Sequence, residues 1–154
     1  MRDRRRQGTG AAGFVLLILS SAVAHAQPAE KRAVFDKVAP SVVAVRNDEG
    51  HGSGMILNEQ GLILTSAHVI VSPLPFQVEA EGVSRKGPGL FTFTKVTLVG
   101  VHPVRDLALI QIDPAEHGAK LTPIDFSPSR VLTRDPVHLI GFPAKYGGRS
   151  KIIT

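Results

Sequence analysis

His68 lies near the end of the stretch GLILTSAHVI at Gly61 to Ile70. The apolar residues Leu62, Ile63 and Leu64 predict a short buried strand, Thr65 and Ser66 break it, and Ala67-His68-Val69 predict a tight helical turn just beyond. That order carries one imidazole out of a rigid strand end and leaves small residues before it, so a second group has room to approach. A histidine so placed serves as a general base when a carboxylate orients one ring nitrogen and a hydroxyl or thiol faces the other. A candidate carboxylate lies downstream in VRDLALIQID, Val104 to Asp113. The thiol is excluded because the chain has no cysteine, which also excludes disulfides, CxxC redox chemistry and thiolate metal sites.

The elements that must hold these groups are short and extended. Arg32 to Val38 predicts a short helix ended by Pro40, and SVVAVR, Ser41 to Arg46, is a β-branched run typical of a buried strand. In GHGSGMIL, Gly50, Gly52 and Gly54 lead into a strand at Met55 to Leu57. A phosphate-binding loop needs its glycines after a strand and opening a helix, so close strand packing or a bulge is the better account of them. Asn58 to Gly61 is a hairpin turn. Val71 to Phe76 is loop, Phe76 to Ala80 begins a strand, and Gly82 to Gly89 reads as an exposed insertion. FTFTKVTLVGVH, Phe91 to His102, is one long strand signal whose apolar parity changes near Lys95, as at a bulge or bend. Asp106 to Asp113 has the two-faced apolar pattern of a central strand. Ile124 to Ser127 predicts an edge strand, and Pro136 to Phe142 a further strand. Many short strands, 15 glycines and 11 prolines, with little helix signal, predict an all-β barrel or sandwich.

The first 26 residues read as a leader. Arg2, Arg4, Arg5 and Arg6 precede the apolar stretch Ala11 to Val23, and Ala24-His25-Ala26 is a small-x-small cleavage site, so a secretory signal peptide is expected. The alternative, an uncleaved anchor, meets the difficulty that the apolar stretch is shorter than the roughly 20 residues a span needs. Of 18 Lys and Arg and 13 Asp and Glu, the leader holds four and one, which leaves a net charge of +2 for the remainder and no case for nucleic-acid binding.

The pieces VAPSVVAV, GHGSGMILNEQGLILTSAHVI, VGVHPVRDLALIQID and PVHLIGFP resemble, in order, the trypsin-like serine proteases of the HtrA (Deg-type) group, and from the first to the last they span most of the chain after the leader. The resemblance implies a first antiparallel β-barrel over residues 41–127, preceded by a linker and short helix over 27–40, and the beginning of a second barrel over 128–154. By the same resemblance His68 matches the catalytic base and Asp106 the carboxylate that orients it. The alternatives are a core histidine with both nitrogens satisfied and a strand-start aspartate capping the turn after Pro103. His51, His102, His117 and His138 show no metal-ligand spacing, and the family's acyl-transfer chemistry requires no cofactor. The family's nucleophile lies in a GNSGGP-type motif after the strand matched by PVHLIGFP, and the chain has no such motif. Its GSG serine, Ser53, precedes the histidine, where the family has a structural glycine strand. The expectation is therefore the amino-terminal part of an exported serine endopeptidase, periplasmic or secreted, which lacks its nucleophilic serine and is inactive alone. Its implied partners are protein or peptide substrates, unfolded ones included, with a homo-trimer by family analogy and no lasting membrane span. The alternative is a non-catalytic protease-like binding module.

Overall fold

A computed structural model describes residues 29–70, 75–143 and 152–153. The expected leader over 1–26, most of the expected loop over 71–76, and most of the last twelve residues lie outside the described residues.

Helix α1, Ala29–Val38, starts three residues earlier than its apolar positions suggest, and Arg32 Nε pairs with the Asp36 carboxylate one turn on at 2.9 Å. Pro40 stops it in a 3-10 turn, Ala39–Ser41, that leads into β1, Val42–Arg46. There follow β2, His51–Ile56; β3, Leu62–Thr65; α2, Ala67–Ile70; β4, Gln77–Ser84; β5, Gly87–Phe93; β6, Thr97–His102; and β7, Leu107–Gln111. These seven strands form one antiparallel sheet in the order β5-β4-β1-β2-β3-β7-β6. The unbroken apolar run of β1 now has a cause. Val43 and Val45 face the main core, whereas Val42 and Ala44 pack with Phe142 on the other face. The main core gathers Phe93 from β5 with Ile63 from β3 and Ile110 from β7, all fully buried, so the sheet curls around one apolar centre.

The expected all-β closed barrels are corrected here. The sheet is open: β5 and β6 are its two edges, unpaired with one another, and two α-helices belong to the same structure. The parity change near Lys95 marks the reason. Residues 94–96 leave the strand conformation, so the chain passes from one edge to the other without a ladder between them. The β6 ladder is further disturbed by a bulge between Leu98 and Gly100. The β7 strand lies second from an edge, between β3 and β6, rather than at the centre.

Two further expectations change. The 82–89 segment is not an insertion but a hairpin, with Gly82 paired to Gly89 and Arg85 and Lys86 at its tip between Ser84 and Gly87. Two glycines opposite each other erase the alternation by which a strand is read. Among the described residues the apolar runs at 124–127 and 136–142 shrink to β8, Ile140–Gly141, which pairs with β9, Ile152–Ile153. An apolar run becomes a strand only where a partner ladder exists, and among the described residues Ile124 joins no ladder, its N–H donating to the Ile56 carbonyl at 2.8 Å. The described residues therefore hold a curled seven-stranded sheet and a two-stranded ladder. Among them no helix is long and apolar enough to cross a membrane.

Candidate active site

The turn that carries His68 is fixed from both sides. Ala67 and Ile70, three positions apart on one helical turn, are buried, which points the intervening His68 outward with its side chain 72% exposed. At the strand end before it, the buried Thr65 hydroxyl donates to the Ser53 carbonyl at 2.9 Å. Gly52, in β2, faces Val69: a Cβ there would lie 2.8 Å from Val69 Cγ1, so only glycine lets the strand and the turn approach this closely.

Asp106 arrives from the other side of β3. After His102 a 3-10 turn, Pro103–Arg105, reverses the chain, and Asp106 adopts the left-handed conformation with φ 53° and ψ 44°. Aspartate is among the few residues other than glycine that enter this region readily. Its N–H donates to Pro103 O at 3.2 Å, and its carbonyl accepts the Ala67 N–H at 3.1 Å. The carboxylate then grips the next residue twice: Oδ1 accepts the His68 backbone N–H at 2.9 Å, and Oδ2 lies 2.6 Å from His68 Nδ1. The His68 amide above all, then the imidazole, holds the Asp106 carboxyl below its ordinary value near 3.8.

An ionised carboxylate can only accept a hydrogen bond at Nδ1, so Nδ1 is the N–H and Nε2 presents its lone pair outward. This is the tautomer a general base needs. Among the described residues no hydroxyl is bonded to that nitrogen. Ser53 does not approach it, since its Oγ accepts the Phe142 N–H at 2.9 Å. A cavity of about 220 Å³ opens beside the imidazole, lined by Asn47, Glu49, Gly50, His51, His68 and Val69. A larger one, about 470 Å³, lies between Pro40 and the β4–β5 hairpin, away from the pair.

The other histidines are dispersed. His51 opens β2, and its buried Nε2 has no hydrogen-bond partner among the described residues. His117 packs against Phe91 and Phe93 with Nε2 2.9 Å from the Thr92 carbonyl. His102 ends β6, and His138 is exposed in irregular chain. Among the described residues no group of three or more His, Asp or Glu side chains is arranged to hold a metal ion. Sequence reasoning missed the supports of the site: the Gly52–Val69 approach, the Thr65–Ser53 bond and the grip of the Asp106 backbone on Ala67. Only the small residues flanking His68 hinted at them.

Comparison with known proteins agrees with this frame. Residues 52–154 match the family described as a trypsin-like peptidase domain. The serine protease HTRA4 of Mus musculus is 38% identical over 93 residues, covering 53% of this chain and 18% of that protein. The serine protease PepD of Mycobacterium tuberculosis is 34% identical over 130 residues, covering 78% of this chain and 26% of that one. The chain thus spans about a quarter or less of the length of these curated relatives. The crystal structure of Deg5 superposes with a TM-score of 0.62 at 28% identity, over 80% of this chain and 60% of that one. The serine endoprotease from Yersinia pestis gives 0.59 at 29% identity, over 82% and 43%. Motifs, match and superposition agree, and the chain belongs to the trypsin-like peptidase domain family, related to the HtrA and Deg serine proteases.

Proposed function

We propose that this chain supplies the general base and its orienting carboxylate to an exported serine endopeptidase that cleaves peptide bonds in protein substrates, unfolded ones included. His68 takes the proton of the attacking serine hydroxyl and returns it to the leaving amine; Asp106 holds the tautomer and stabilises the imidazolium formed between those steps. The nucleophile is assigned to chain following the segment PVHLIGFP, as the family order places it, and the acyl-enzyme is hydrolysed by water. Export rests on the basic and apolar leader before Ala26.

One observation carries the reading: residues 38 positions apart meet with Oδ2 2.6 Å from Nδ1 while Oδ1 takes the same residue's amide. A chance surface pair would not need both carboxylate oxygens on one partner. The test is hydrolysis of an unfolded protein by the product of the complete gene, with and without His68→Ala. The variant should lose about 10⁴-fold or more in kcat; equal rates would remove His68 from the reaction and end this reading.

A further inference from the structure

Ser53 has no part in the chemistry above, yet it bonds both the strand end that precedes His68 and the backbone of Phe142. It lies in β2 on the face opposite Gly52 and Gly54, opposite Ala44 of β1. Its carbonyl accepts the hydroxyl of Thr65, three residues before His68, and its own hydroxyl accepts the N–H of Phe142, each at 2.9 Å. The approach is closed to any side chain at the neighbouring position: a Cβ on Gly141 would lie 2.8 Å from Ser53 Oγ, though an ordinary 3.5 Å from Ser53 Cβ. Phe142 is itself fastened. The residue is 8% exposed and packs against Val42 and Ala44, and the Arg46 guanidinium, paired to Glu79 at 2.7 Å, lies 5.9 Å from the ring centre.

We propose that Ser53 is a positioning residue that sets the register of the chain after Ile140 against the strand end bearing His68. The inference rests on the endopeptidase reading, in which the nucleophile comes from chain following Phe142. Catalysis of this type is sensitive to displacements of about 1 Å between nucleophile and base, each of which can cost on the order of 10²-fold. One hydroxyl that ties Phe142 to the strand whose carbonyl holds Thr65 is therefore enough to matter to rate without touching substrate.

The test compares Ser53→Ala, Gly141→Ala and the double variant with wild type and His68→Ala, in the product of the complete gene. Ser53→Ala should lower kcat roughly tenfold to a hundredfold with KM within about twofold, and should speed amide exchange at Phe142 by about tenfold. Gly141→Ala should be damaging on its own and largely relieved by Ser53→Ala, because the overlapping oxygen is then gone. Unchanged kcat in Ser53→Ala beside an inactive His68→Ala overturns the proposal, as does Gly141→Ala damage of equal size in both backgrounds. If His68→Ala matches wild type, the endopeptidase reading fails instead, and the Ser53 register is judged on exchange at Phe142 and on the suppression alone.

Discussion

Asp106 does three things with one residue: its backbone turns the chain, its carbonyl takes the Ala67 amide, and its carboxylate takes both the amide and the ring of His68. Asp106→Asn keeps the shape but turns one accepting oxygen into a donor, while both His68 groups demand acceptors. The ring is then driven to the other tautomer, and kcat should fall by about 10⁴-fold with KM little changed, as steady-state kinetics would read. The acid side has a definite sign. Because the folded carboxyl lies below its ordinary value near 3.8, its contribution to stability is present above that pH and is lost as pH falls through the lowered folded value. Thermal melts of wild type and Asp106→Asn should therefore differ at neutral pH, and the part owed to the Asp106 carboxyl should be lost only in acid, as pH falls below 3.8 through the lowered folded value. A difference that vanishes between about pH 5 and 7 would contradict this assignment. The residue types His and Asp, and their membership in TSAHV and DLALI, were legible in the chain. The double use of the carboxylate was not, since it depends on how two turns meet.

Among the elements, the hairpin before β3 and the turn after it are held by glycines with different reasons. Gly61 has φ +87°, and a Cβ there would lie 2.5 Å from the Ile112 carbonyl. Gly61→Ala should destabilise by more than about 1 kcal/mol, measured by urea unfolding. Gly52→Ala acts on function more directly, because the added methyl pushes on Val69 and so on the turn that carries His68. Its loss of activity should exceed what its change in melting temperature explains; a variant with full activity would mean that the close approach is dispensable. Strand signals with strong periodicity, such as SVVAVR and GLIL, were legible within about a residue of β1 and β3. The β4–β5 hairpin was hidden by glycines, and the runs at 124–127 and 136–142 misled because apolar character says nothing about a partner for the backbone.

At the scale of the molecule, a curled but open sheet leaves apolar side chains uncovered. Val104 is 91% exposed just before Asp106, and Val131, Val137 and Leu139 are 68%, 70% and 75% exposed in the irregular chain that follows β7. Exposed apolar surface of this kind drives association unless something covers it. The isolated chain should bind a hydrophobic dye and self-associate in sedimentation; a dispersed monomer with a sharp melt and no dye binding would show that these side chains are covered. What the sequence by itself determined is local: the strand and turn signals, the absence of any thiol, the leader pattern and the paired motifs that mark the family. The tertiary structure alone decided that Asp106 reaches His68, that Ser53 is committed to Phe142, and that the sheet stays open between β5 and β6. The reason is physical. Periodicity and turn chemistry act over a few neighbouring residues and are written in order along the chain. Ladders and side-chain bonds between positions 38 or 89 apart exist only once packing has brought them together.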